Sequence, residues 1–169
     1  MKLAARLDRI EPFYVMELAK AAAQTAAGPL CDPALGGRRM IRLNIGEPDF
    51  GAAPAVREAV ARMAQGPTPY TDALGLPALR EAIAAWYGQR FGLDIAPQRI
   101  AITAGASAAL QLACLALFER GDEVLMPDPC YPCNRHFVTA ADATPRLLPT
   151  DAAARFQLSA AQVREAWTP

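Results

Sequence analysis

The chain has 169 residues, 53% of them hydrophobic and 20% charged, with mean hydropathy +0.09. That composition belongs to an ordered domain with a real core, and it excludes disordered and fibrous classes. Seventeen Lys and Arg balance seventeen Asp and Glu, so no electrostatic case exists for nucleic acid or an anionic membrane surface as a partner.

At the N-terminus, Lys2, Arg6, Asp8 and Arg9 interrupt the chain before an apolar run develops, so a secretory leader is not expected. Glu11-Pro12 to Ala27 reads as a helix, with Pro12 in its first turn and Gly28 just past its end. Two prolines and three glycines between Gly28 and Gly37 make that stretch a loop. Met40 to Ile45 alternates apolar and polar side chains and reads as a short strand or extended arm. Pro54 opens a second helix, stopped by Gly66-Pro67, and Thr68 to Gly75 is an irregular loop. A third helix runs from Pro77 to Phe91, ended by Gly92, with Leu79, Ile83, Trp86 and Tyr87 inward.

From Arg99 the rhythm changes. Arg99 to Thr103 is predicted to be a strand, and Gly105-Ala106-Ser107 turns into a helix reaching Glu119. This helix is apolar almost all round, which predicts burial. Its most apolar stretch, Leu112 to Phe118, is far short of the roughly 20 residues that cross a bilayer, so no membrane partner is expected. Glu123 to Met126 is the next strand, Pro132 to Ala141 a helix, and Arg146 to Leu148 a third strand. Ser159-Ala160-Ala161-Gln162 is a capping box that opens a last helix ending at Thr168-Pro169. Strand, helix, strand, helix, strand, helix argues for a parallel, right-handed α/β sheet.

Several segments carry chemistry. Gly105, Ala106 and Ser107 lie at a strand-to-helix junction, where backbone N–H groups and the positive end of a helix suit an anion such as a phosphate. The same residues would also serve as a plain tight turn. Tyr131, in Asp128-Pro129-Cys130-Tyr131-Pro132, follows the C-terminal end of a strand, the edge at which open α/β sheets bind ligands; it suits stacking on a planar ring or simple packing. Cys130 and Cys133 have C-x-x-C spacing with His136, the only histidine, nearby. Zinc would need a fourth ligand, and no metal site is expected. Two unlinked structural cysteines are preferred to a redox pair, and Cys31 and Cys114 complete the set without a disulfide framework. Tyr70-Thr71 with Gly75, and Gly46-Glu47-Pro48-Asp49, read alone as turn chemistry.

Taken in order, these segments form a recognisable series: Ile10-Glu11-Pro12-Phe13, Gly46-Glu47-Pro48-Asp49-Phe50, Tyr70-Thr71 with Gly75, Thr103 to Ser107, and Gly121-Asp122-Glu123 to Tyr131-Pro132. Over about residues 10 to 150 the chain resembles the class I/II aminotransferases, the fold-type I pyridoxal-phosphate enzymes. The resemblance covers roughly the first two fifths of a family member.

The resemblance implies a fold: the N-terminal part of a fold-type I large domain, a mostly parallel sheet flanked by helices, preceded by a helical arm. Residues 1–40 would form the arm, part of the small domain, and residues 41–169 an incomplete half of the cofactor-binding large domain. It implies that Gly105, Ala106 and Ser107 hold the phosphate of pyridoxal 5'-phosphate and that Tyr131 stacks on its pyridine ring. Tyr70 would reach the phosphate of the partner subunit's cofactor in a homodimer, and Gly46 would lie against the substrate carboxylate.

The implied activity is transfer of an amino group between an amino acid and a 2-oxo acid; with neither a secretory leader nor a membrane span expected, the cytoplasm is the expected location. A carbon–sulfur lyase or cyclopropane-forming synthase of the same fold, or a non-catalytic fragment or effector-binding module, are the alternatives. Lys2 and Lys20 are the only lysines, and both precede every cradle segment. The Schiff-base lysine of the family is therefore not assigned to any residue, no catalytic residue is assigned, and the chain alone is expected to be inactive.

Overall fold

In the computed structural model, which describes residues 2–168, the elements follow one another as α1 (Tyr14–Ala26), α2 (Pro54–Met63), α3 (Pro77–Phe91), α4 (Ala106–Leu117), β1 (Glu123–Asp128), α5 (Cys133–Ala140), β2 (Thr144–Pro149) and α6 (Ala160–Ala166). Short 3-10 turns lie at Ala5–Arg9, Pro29–Cys31, Pro33–Leu35 and Pro97–Arg99. The chain divides into two units, one made of Met1–Gly46 with Ser107–Pro169 and the other of Glu47–Ala106.

In the first unit β1 and β2 pair in parallel, with Glu123 opposite Thr144 and Asp128 opposite Pro149. A parallel pair needs a crossover, and α5 supplies it. Val138 and Ala143, 1% and 0% exposed, form the core with Cys114 and Ala141; Phe118, Val124, Met126 and Phe137 pack around them. The N-terminal 3-10 turn is tied to the end of this crossover. Arg6 Nη2 and Arg9 Nη2 reach the Asp142 carboxylate at 3.3 and 3.6 Å, and Arg6 Nη1 donates to the Ala140 carbonyl at 3.0 Å. At the other end, Arg146 on β2 donates to the Ala166 carbonyl at 2.8 Å and pairs with Glu123 at 3.2 Å. Both halves of the Ser159–Gln162 capping box are made.

The second unit is built on α2 and α3. Pro54 and Pro77 sit in the first turns of these helices, where the missing N–H is no loss. Gly92 ends α3 in the left-handed region, its N–H donating to the Gly88 carbonyl at 2.9 Å. Arg80 binds the loops on either side of α3, donating to the Gly75 carbonyl at 3.2 Å and the Pro97 carbonyl at 3.3 Å.

The structure departs from the sequence reading at several places. Helix α1 begins at Tyr14, with Pro12 outside it and Phe13 extended as its N-cap. Of the two readings of residues 40–45, strand or extended arm, the strand does not form, and the stretch is mostly exposed. The stretch expected as a strand from Arg99 to Thr103 is a 3-10 turn followed by extended chain; its Ile102 N–H donates to the Leu74 carbonyl at 3.0 Å. Alternation suits a residue run to a sheet, but a strand exists only where a neighbour completes its ladder. The sheet among the described residues therefore has two strands, not three. Strand β2 is longer than expected, and α6 ends at Ala166; Pro169 lies outside the described residues.

Helix α4 stops at Leu117, two residues early, and only Cys114 on it is buried. Leu110, Leu112, Leu115 and Leu117 are exposed, Leu117 by 72%. The all-round apolar pattern asks for cover on every side, and β1 with α5 covers one. Large apolar side chains are exposed within each unit as well, Leu18 and Leu30 in the first and Phe50 and Val60 in the second. No helix among the described residues is long and apolar enough to cross a membrane.

Burial pushes the Cys114 thiol above its ordinary value of 9.0. The unfolded chain then loses this proton first, so the contribution to stability is complete below pH 9.0 and is lost as pH rises past it. Urea unfolding between pH 8 and 10 should therefore show a steeper alkaline loss of stability in the native sequence than in Cys114→Ala.

Candidate functional site

The turn that opens α4 is built by two short bonds: the Gly105 N–H donates to the Thr103 carbonyl at 2.8 Å, and the Thr103 hydroxyl donates to the Gly105 carbonyl at 2.9 Å. Gly105 has φ +85°, which a side chain would strain, and a Cβ there would meet nothing within 4 Å. Gly105, Ala106 and Ser107 are all exposed. The first N–H groups of any helix lack an intrahelical partner. Here they emerge beside small side chains and open space, an arrangement that fits an incoming anion. The boundary between the two units falls within this turn, between Ala106 and Ser107.

Only residues 118–122 join α4 to β1, and Cys114 and Phe118 pack with Val124 and Met126. A connection so short returns the chain antiparallel, which sends Ser107 and the C-terminal end of β1 toward the same edge. Tyr131 leaves that end of β1, after the cis Asp128–Pro129 peptide, and is 53% exposed. The Phe13 ring meets it edge-on, with centroids 6.2 Å apart and planes inclined by 63°. Cys133 pushes the phenol above its ordinary value of 10.0, through hydrogen bonding first and charge second. Asp128 anchors the strand end: its carboxylate pairs with Arg135 at 3.6 Å, and its carbonyl accepts from the Thr150 N–H and hydroxyl at 2.8 and 3.0 Å.

Among the residues singled out from sequence, Tyr131 and Cys133 are thus brought together. Gly46 is exposed, with open space about its Cα. Tyr70 is 105% exposed on its loop. Phe13 and the Asp128–Arg135 pair escaped the sequence reading as site residues, although Phe13 lay inside a motif. Its role depends on α1 starting one residue after it, which local pattern does not reveal. An open groove lined by Ala84, Ala85, Gly88, Leu93, Asp94 and Ile95 holds none of the candidate residues, and Asp94 is its one charged side chain.

Residues 38–169 match the family described as aminotransferase class I and II. The chain belongs to that family. Among characterised aminotransferases, the (5-formylfuran-3-yl)methyl phosphate transaminase of Methanocaldococcus jannaschii is 38% identical over 144 residues, 85% of this chain and 37% of that protein. The valine–pyruvate aminotransferase of Mycobacterium tuberculosis is 38% identical over 159 residues, 92% of this chain and 38% of that protein. Among solved aminotransferases, one from Mycobacterium tuberculosis superposes with a TM-score of 0.88 at 35% identity, covering 100% of this chain and 42% of that one. The aspartate aminotransferase of Thermotoga maritima superposes with a TM-score of 0.84 at 32% identity, covering 98% and 42%. The α/β class read from the sequence is that of these aminotransferases. The chain spans about two fifths of the length of the relatives it matches.

Proposed function

We propose that the chain is the amino-terminal, cofactor-cradling part of a pyridoxal-phosphate-dependent aminotransferase that passes an amino group between an amino acid and a 2-oxo acid. One observation carries the reading: a turn of small, exposed residues, with Gly105 at φ +85°, opens a helix of twelve residues. In this reading the backbone of Gly105, Ala106 and Ser107 and the Ser107 hydroxyl hold the cofactor phosphate. Tyr131 lies on the pyridine ring. Gly46 lies near the substrate carboxylate, and Tyr70 serves the partner subunit's cofactor within a homodimer. Residues 1–40 belong with the small domain, 41–169 with the cofactor domain, and the protein works in the cytoplasm.

Pyridoxal phosphate, when bound, supplies an electron sink that makes the Cα proton of an amino acid removable. The residues present fit its phosphate and its ring. They do not fit its covalent anchor, because Lys20 is bound to Glu17 on α1 at 2.7 Å and Lys2 lies in the N-terminal arm. The roles of this part are therefore to bind and orient, while the amine that anchors the cofactor and moves the proton belongs to sequence beyond these 169 residues. The names of the relatives support the reaction class: transaminase, valine–pyruvate and aspartate aminotransferase.

The native gene product, purified from its source, is expected to have an intact mass more than twice 18.0 kDa and to exchange amino groups with 2-oxo acids. The 169-residue chain alone is expected to show no exchange. A native mass of 18.0 kDa with undiminished exchange would overturn the reading.

A further inference from the structure

Two thiols flank Tyr131, and nothing in the proposed cofactor role uses them. Cys130 and Cys133 are free and half-buried. Cys133 is the first residue of α5, preceded by Pro132 in the helical region at φ −57° and ψ −33°. The Asn134 N–H donates to the Tyr131 carbonyl at 3.1 Å, and the Cys130 Sγ lies 3.7 Å from that same oxygen. The Cys130 sulfur is thereby folded back over the turn from which α5 starts. Cys133, two residues after Tyr131, also perturbs the phenol, raising it. The two cysteines flank one residue at the entry to α5, where Pro132 is already helical and the Tyr131–Asn134 bond begins the first turn. A disulfide requires Cα atoms roughly 4.4 to 6.8 Å apart, a spacing that two residues three apart reach when the chain between them bends.

We propose that Cys130 and Cys133 form a thiol-modification site, closing into a reversible disulfide that straddles Tyr131. The oxidant is a low-molecular-weight disulfide such as oxidised glutathione. One cysteine thiolate attacks a sulfur of that disulfide, forming a mixed disulfide and releasing one glutathione thiolate. The second cysteine thiolate then attacks the mixed disulfide at the protein sulfur and releases the other. Two thiols and one oxidised glutathione give one protein disulfide and two reduced glutathiones, with two electrons passing to the oxidant. Closure removes the Cys133 thiol from the Tyr131 phenol and restrains the loop that bears the ring. The consequence for a bound cofactor rests on the role proposed for Tyr131; the disulfide itself does not.

The test equilibrates the full 169-residue chain in glutathione buffers of graded redox ratio, quenches with acid, alkylates and maps the cysteines by mass. The expected result is a Cys130–Cys133 segment that escapes alkylation and is two hydrogens lighter, with dithiothreitol reversing both changes. Cys31 should stay out of any protein disulfide, carrying at most a glutathione adduct at the most oxidising ratios. Cys133→Ala should instead collect a glutathione adduct on Cys130. Alkylation of both thiols at every ratio, a stable mixed disulfide in the native sequence, or pairing of Cys130 with Cys31 or with a second copy would each overturn the proposal. A tyrosine titration adds a readout that a silent disulfide would not move: oxidation and Cys133→Ala should both bring the Tyr131 phenol back toward 10.0. An unchanged titration overturns the coupling to the ring. Failure of the reduced chain to bind pyridoxal phosphate would count against the cofactor reading and leave the disulfide result intact.

Discussion

Gly75→Ala is expected to destabilise the Glu47–Ala106 unit by about 3 kcal/mol, enough to unfold it in much of the population. Two independent effects combine. Gly75 is buried at φ +93°, where a side chain costs about 1 to 2 kcal/mol of backbone strain. A Cβ there would also stand 2.4 Å from Ile102 Cγ1 and 2.7 Å from Ile102 Cβ. The first atom is free to swing away, but the second is tied to the backbone whose N–H holds the Leu74 carbonyl. Ile102→Ala removes only the first clash, so the double variant should recover part of the loss and not all of it. The chain offers a clean reporter, because its two tryptophans, Trp86 and Trp167, fall one in each unit. Urea titration followed by Trp86 fluorescence in a Trp167→Phe background reads this unit. An unchanged midpoint for Gly75→Ala would show that Ile102 does not lie against this glycine.

Val138→Asp is expected to abolish cooperative folding of the unit that contains β1 and β2. Val138 is 1% exposed, among Cys114, Ala141 and Ala143, with Phe118, Val124, Met126 and Phe137 beside them. An unpaired carboxylate in such a site costs several kcal/mol, whether it stays charged or takes up a proton. That is about the whole stability of a small domain. Val138→Ala, which removes two methyl groups without adding charge, should cost about 2 kcal/mol and keep the transition. Fluorescence of Trp167 in a Trp86→Phe background, with far-ultraviolet circular dichroism, distinguishes the two outcomes. A cooperative Val138→Asp protein would mean that the core lies elsewhere.

These two sites also show what the sequence can and cannot disclose. Pro54, Pro77 and Gly92 state helix limits through their own backbone preferences, and the Ser159–Gln162 box closes its bonds within one turn. Such signals are local and survive any tertiary context. The glycine after Tyr70-Thr71 is visible as a motif member, yet its cause is the Ile102 side chain 27 positions away in the sequence. The Arg99 to Thr103 segment has the residues of a strand but, among the described residues, no ladder beyond the single Ile102–Leu74 bond. Helix α4 announces burial through its composition, while the surfaces that would cover Leu112, Leu115 and Leu117 are not among these residues' neighbours. At the site, Tyr131 and the Gly105–Ser107 turn could be read from residue type and position, since the end of a strand and the start of a helix have fixed physical properties. Phe13 against Tyr131, and Arg6 and Arg9 on Asp142, join positions more than 110 residues apart, beyond any local pattern.

The most direct measurement of the central proposal is an amide nitrogen–proton correlation titration of the 169-residue chain with pyridoxal 5'-phosphate, pyridoxal and inorganic phosphate in parallel. The phosphorylated vitamer and inorganic phosphate should shift the Gly105, Ala106 and Ser107 amides saturably, and only the phosphorylated vitamer should also move Tyr131. Pyridoxal, without a phosphate, should leave the turn unmoved. Shifts from pyridoxal equal to those from its phosphate ester, or a phosphate response confined to residues outside this turn, would contradict a cofactor cradle at the head of α4.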